Sequence, residues 1–222
     1  MTQKCFLLAD NPQIKRIGYG AMVLNGIYGD VGTDSALKVL DQAIQNDIMI
    51  DTADIYGEGD NEKLIGRAIA KSLKKPFIAT KFGIVQSNKF PSRKIVTNWG
   101  FNINVNGSKD YFNHCLEKSL KNLGVDTIDL MYLHFPDPQI PIEETIEAMG
   151  LALKSGKVKN IGLSNVSVNQ IEKANKVHQI TAVQNEYNMW NRSAEKNLLP
   201  TLSRLKIALI CWSPLSAGLL SS

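Results

Sequence analysis

Short runs of apolar and β-branched residues alternate with amphipathic stretches along this chain, and that alternation predicts parallel βα units rather than separate sheet and bundle. Strands are expected at 17–21, 48–52, 77–81, 127–134, 158–164, 182–187 and 207–213. Between them apolar residues recur at helical spacing, as at Leu37, Leu40, Ala43 and Ile44. The pattern predicts helices over 36–45, 61–73, 111–123, 142–154, 167–177 and 194–205. Gly124 closes the third of these, and the nearly unbroken apolar run after it reads as a strand buried on both faces. At the N-terminus, 6–9 and 13–16 flank Asn11-Pro12 and predict a hairpin that caps one end of the fold. The stretch 84–110 exceeds an ordinary loop and is expected to form a lid or hairpin over the mouth.

Seven parallel strands joined by helices predict an α/β fold of the (β/α)8 TIM-barrel type, incomplete at the C-terminus, with residues 1–222 as a single domain. A doubly wound dinucleotide-binding sheet is disfavoured, because no Gly-x-Gly-x-x-Gly turn follows the first strand. The 222 residues are 44% hydrophobic and 21% charged, enough for one sizeable core. A net charge of +4 and a pI near 8.9 would suit an anionic partner, but the lysines are scattered over helix faces. Only Lys71 to Lys75 cluster, and a solvated helix end explains them better than a nucleic-acid surface. Cys5, Cys115 and Cys211 are odd in number and far apart, which predicts neither disulfides nor a metal site and suits a reducing cytoplasm. No apolar run approaches the length of a membrane span or signal peptide, so no membrane partner is expected.

Asp51, Tyr56, Lys81 and His134 fall at or just beyond the C-terminal ends of three of these strands. Those ends converge on one mouth in a parallel barrel, so the four residues are expected to meet in one pocket. Each also has a structural reading. Asp51 could cap a turn, Tyr56 before Gly57 could be a loop aromatic, and His134 could be a satisfied strand-end histidine. A lysine such as Lys81 on a barrel strand has no structural reason to be buried.

Six ordered motifs then carry a resemblance: IDTADIYG at 50–57, ATKFG at 79–83, Leu133-His134, IGLSN at 161–165, VQNEYN at 183–188 and WSPLSAGLL at 212–220. Together with HCLEKSLKNLGVDTID at 114–129, they resemble the aldo-keto reductases, nicotinamide-dependent carbonyl reductases built on a (β/α) barrel. The resemblance implies Tyr56 as the acid that protonates the developing alkoxide while NADPH supplies the hydride. Lys81 would lower the phenol's pKa from its free value of about 10, Asp51 would keep Lys81 charged, and His134 would donate to the substrate oxygen. By the same likeness, Ser164, Asn165 and Gln184 would hold the nicotinamide carboxamide, and Trp212 would stack on the nicotinamide face. Ser213, Leu215 and Gly218 would approach the pyrophosphate, Gly218 because it lacks a Cβ. Apart from the likeness, Trp99, in the long segment, is expected to line the substrate pocket, and Asp137 and Glu186 read as solvated or structural.

The resemblance also implies that the family's last portion, with the eighth strand and final helix, is missing from the C-terminal end. A chain of this extent is expected to bind NADPH weakly, with its first and last strands exposed as edges or covered in a homodimer. Three functions follow as expectations. The first is reduction of a small aldehyde or ketone, with pyridoxal as a candidate because NPQIKRIGYGAM, VSVNQIEKA and VQNEYN resemble the bacterial pyridoxal reductase-like members. The second is a non-enzymatic cofactor-binding role like that of potassium-channel auxiliary subunits. The third is an inactive remnant.

Overall fold

Nine strands and six helices are present among the residues that the computed structural model describes, 15–26, 29–86 and 89–220. The strands are β1 (Gly18–Gly20), β2 (Met49–Asp51), β3 (Ile78–Phe82), β4 (Arg93–Val96), β5 (Asn102–Val105), β6 (Leu130–Leu133), β7 (Ile161–Ser164), β8 (Ala182–Glu186) and β9 (Ala208–Trp212). The helices are α1 (Thr33–Gln45), α2 (Asp60–Ala70), α3 (Lys109–Leu123), α4 (Ile142–Lys154), α5 (Val168–Val177) and α6 (Leu198–Leu205). Seven strands pair in parallel in the order β1-β2-β3-β6-β7-β8-β9 and curl into a nearly closed barrel of the TIM type. These are the seven strands expected from the sequence. The segment 84–110 forms the antiparallel hairpin β4–β5, so the hairpin reading of that stretch holds. The capping hairpin expected at 6–9 and 13–16 has its first arm and its turn outside the described residues.

Strand parity explains where the chemistry ends up. Successive side chains of a strand point to opposite faces. Ile50, Ile78, Phe82, Met131, Leu133, Ile161, Leu163 and Val183 pack outward against the helices in the main core. Met49, Ala79, Leu130, Ala182 and Ala208 point the other way and fill the barrel's lower interior with Tyr132. Two residues further along each strand the same inward parity presents Asp51, Lys81, Tyr132, Gln184 and Ile210. One more step of two gives His134 and Trp212. Apolar side chains therefore plug the N-terminal half of the barrel, while polar and aromatic ones collect at the C-terminal mouth.

Local chemistry sets the element boundaries. Ser167 caps α5 with a capping box: its hydroxyl accepts from the Gln170 N–H, and the Gln170 side chain returns to the Ser167 N–H. Gly124 ends α3 in the left-handed conformation, as expected. The last helix starts at Leu198 instead of Ala194, after a 3-10 turn over Ser193–Glu195. Pro200 is the reason, since a proline is tolerated in a helix's first turn but not in its interior. Asp129 takes a structural role. Its carboxylate accepts the Ile78 N–H at 2.9 Å and pairs with Lys159 at 2.8 Å, fixing the start of β3 beside β6. Asp137 is structural too, accepting from Gly107 N and Gln139 N.

Candidate active site

Lys81 anchors the mouth. It is 1% exposed, and its ammonium donates to Asp51 Oδ1 and, at 2.8 Å, to the Thr52 carbonyl. Asp51 Oδ2 accepts from Gln184 Nε2 at 2.7 Å. Burial alone would push the Lys81 pKa down, yet the Asp51 charge and hydrogen bond, together with Tyr56, outweigh it, and the net shift is upward. Lys81 is thus a fixed cation in a dry setting.

Tyr56 follows β2 through a loop kept in register by two bonds, Thr52 N to Ala79 O at 2.8 Å and Asp54 N to Lys81 O at 3.1 Å. Immediately after it, Gly57 takes φ 55° against Asn25, where a Cβ would meet Asn25 Nδ2 at 2.2 Å. Only glycine lets the chain turn there and leave the Tyr56 ring at the mouth. Lys81 Nζ lies 5.3 Å from the centroid of that ring, and the His134 ring meets it edge-on at 6.2 Å. Burial raises the Tyr56 pKa, and the Lys81 charge offsets part of the rise, leaving the phenol above its ordinary value. The sequence reading, which counted the cation but not the desolvation, expected the opposite net direction.

His134 directly follows β6 and is held by its backbone, whose N–H donates to Phe82 O at 2.8 Å and whose carbonyl accepts from Asn165 Nδ2 at 3.1 Å. Burial, reinforced by the Lys81 charge, holds its pKa well below the ordinary histidine value, so the imidazole is neutral at neutral pH. Its Nδ1 is buried without a partner. Phe135 stacks on the ring at 5.3 Å.

The remaining candidates ring this centre. Ser164 ends β7, and Asn165 beyond it takes a left-handed φ of 55°, with its amide bonded to Ser164 Oγ at 3.0 Å. Trp212 ends β9 and meets Trp99, at the tip of the β4–β5 hairpin, at 4.8 Å between ring centroids. Trp99 also approaches Phe135 at 6.4 Å, so three aromatic rings wall one side of the mouth. After Trp212, Ser213, Ser216, Ala217 and Gly218 all have positive φ, curling 213–218 into a tight cup with Leu215 exposed. The Ser216 hydroxyl lies in that cup, buried and unpartnered.

Sequence reasoning passed over Ser216, Phe135 and Asp54. Ser216 lies inside the WSPLSAGLL motif and Asp54 inside IDTADIYG, so the signal was in motifs already singled out. The roles of both depend on burial, which spacing does not show.

The profile of the aldo/keto reductase family matches residues 16–222. The chain belongs to the aldo/keto reductase family. Probable aldo-keto reductase 1 of Glycine max is 39% identical over 209 residues, covering 93% of this chain. Among solved aldo-keto reductases, the glycerol dehydrogenase AKR11B4 from Gluconobacter oxydans superposes with a TM-score of 0.84 at 27% identity over 100% of this chain. AKR11C1 from Bacillus halodurans gives 0.79 at 27% identity over 94%. This aldo-keto reductase chain spans 57% of the soybean relative's length and 66% and 65% of the two bacterial chains. No helix among its described residues is long and apolar enough to cross a membrane.

Proposed function

We propose that the protein reduces an aldehyde or ketone to the alcohol with NADPH, Tyr56 delivering the proton to the carbonyl oxygen. The observation that carries this reading is the Lys81–Asp51 pair, buried at a barrel mouth directly beside a tyrosine and a neutral histidine. A lysine ammonium with no structural need to be there stabilises the phenolate that Tyr56 becomes as it gives up its proton. His134, neutral, offers one N–H to the substrate oxygen without adding a second cation beside Lys81.

Two features fit a dinucleotide at this mouth: the cup at 213–218 with its unpartnered Ser216 hydroxyl, and the convergence of Ser164, Asn165 and Gln184 on neighbouring strand ends. Ser164 and Asn165 would hold the carboxamide. Gln184 would contribute its amide oxygen, because its nitrogen is engaged by Asp51. Trp212 would lie against the nicotinamide, with Ser213, Leu215 and Gly218 beside the pyrophosphate. When bound, NADPH supplies the hydride. The wall of Trp99, Trp212 and Phe135 suits a flat aromatic carbonyl, and pyridoxal is the substrate we favour.

The test follows NADPH absorbance with pyridoxal and a panel of small aldehydes, plus glycerol with NADP+ because one relative is named a glycerol dehydrogenase. Turnover that falls about 100- to 10,000-fold in Tyr56→Phe supports the reading. Turnover unchanged in that variant, or none by a folded protein, overturns it.

A further inference from the structure

Among the described residues one buried acid, next to the mouth, keeps an unpartnered oxygen. Asp54 sits between β2 and Tyr56, is 5% exposed, and its Oδ1 has no hydrogen-bond partner. It lines a cavity of about 70 Å³ together with Ile55, Ile84, Phe90, Tyr111, His114 and Lys118. A buried, unsatisfied carboxylate is costly, so a group so placed keeps its proton instead.

The groups packed around Asp54 support this. From α2, Glu62 is fully buried, and both of its oxygens are engaged, by Thr80 Oγ1 at 2.8 Å and Asn122 Nδ2 at 3.0 Å. Its charge faces Asp54. From α3, Cys115 lines the same cavity and acts to lower the Asp54 pKa, Tyr111 turns its hydroxyl away to the Ile84 carbonyl at 2.7 Å, and Lys118 reaches the Glu58 carbonyl at 3.3 Å. His114 lines the same cavity. Burial and the Glu62 charge push the Asp54 pKa up to about 7, against smaller opposing effects of Cys115 and Lys118. On the other side, the Asp54 N–H holds the Lys81 carbonyl, and an ionised Asp54 acts to raise the Tyr56 pKa.

We propose that Asp54 is a proton-bearing acid placed behind Tyr56, and that its ionisation biases, on top of the larger effects of Lys81 and Asp51, how readily Tyr56 gives up its proton. Asp54 is a positioning residue, acting through the phenol and touching no substrate. Protonated, it leaves Lys81 and Asp51 as the charges that Tyr56 senses. Ionised, it adds a negative charge that disfavours the phenolate, so the proton donor weakens as pH rises through neutrality. The inference rests on Tyr56 being the donor only for its catalytic meaning, because the coupling itself is present without turnover.

The experiment is a pH titration of the whole chain by carbon-13 NMR, labelled at the Asp carboxyl and Tyr Cζ positions, with Tyr56→Phe and Asp54→Asn assigning the signals. Asp54 is expected to inflect near pH 7, with the Tyr56 signal shifting at the same pH and losing that step in Asp54→Asn. Glu62→Gln, which removes the like charge, is expected to move both inflections to lower pH, and it keeps the test open if Asp54→Asn does not fold. An Asp54 inflection below pH 5, or a Tyr56 signal indifferent to it, overturns the proposal. Because nothing in this readout needs NADPH or substrate, an inactive protein leaves the result intact.

Discussion

Gln184 donates to Asp51 Oδ2 at 2.7 Å across 133 positions of sequence, so the carboxylate that holds Lys81 is itself held from the far side of the barrel. Orientation of the ion pair therefore depends on β8 as much as on β2 and β3.

Replacing Gln184 with leucine leaves one oxygen of the partly buried Asp51 carboxylate unpaired. A loss of about 1–3 kcal/mol in urea-unfolding stability is expected, the range for orphaning a buried polar partner. A variant as stable as the wild type would show that the bond contributes nothing.

Lys81→Met removes one member of a buried pair and strands Asp51, whose side chain is 13% exposed. Breaking such a pair costs about 3–5 kcal/mol, whereas replacing both charges is far milder. The double variant Lys81→Met with Asp51→Asn should thus be more stable than Lys81→Met alone, a result that a double-mutant cycle reads directly.

His134 and Asp54 pull stability in opposite directions as pH changes. For His134 the folded pKa is depressed below the unfolded value of about 6.5, so its contribution is present above that pH and lost as pH falls. His134→Gln should flatten the decline in melting temperature between pH 6.5 and 5.

For Asp54 the folded pKa of about 7 stands above the unfolded value, so the folded state holds an extra proton between the two. Stability falls as pH rises from about 4 to about 7 and stays lower above it. Asp54→Asn should then be more stable than the wild type at pH 8, by on the order of a few kcal/mol, and lose that advantage near pH 4 in urea titrations at the two values.

Gly162 faces the Tyr132 ring inside the barrel. A Cβ at 162 would lie 2.5 Å from Tyr132 Cδ1 and 2.8 Å from the Ala182 carbonyl. Gly162→Ala is expected to cost about 1–3 kcal/mol through overpacking, and Tyr132→Leu should recover part of it by calorimetry.

Much of this was legible in sequence because the signals were local. The barrel strands were visible as short runs between amphipathic stretches, and inward parity follows from counting in twos from Met49 to Asp51 or Ala79 to Lys81. Asp51, Tyr56, Lys81 and His134 could be brought together because the parallel topology fixes where strand ends lie. Burial was not legible. The net rise in the Tyr56 pKa, the neutral His134 and the proton on Asp54 all arise from neighbours distant in sequence. So does the commitment of the Gln184 nitrogen to Asp51, since no spacing rule says which of its two amide atoms faces inward.

The contact between Trp99 and Trp212 makes the mouth spectroscopically visible. Of the three tryptophans, two are 4.8 Å apart and the third, Trp190, stands exposed elsewhere in the chain. Indoles that close couple their strong transitions, so their far-ultraviolet circular dichroism carries an exciton signature that vanishes if the hairpin tip lifts or a flat guest slides between them. The protein thus has its own optical gauge of whether the hairpin is down, readable without any label.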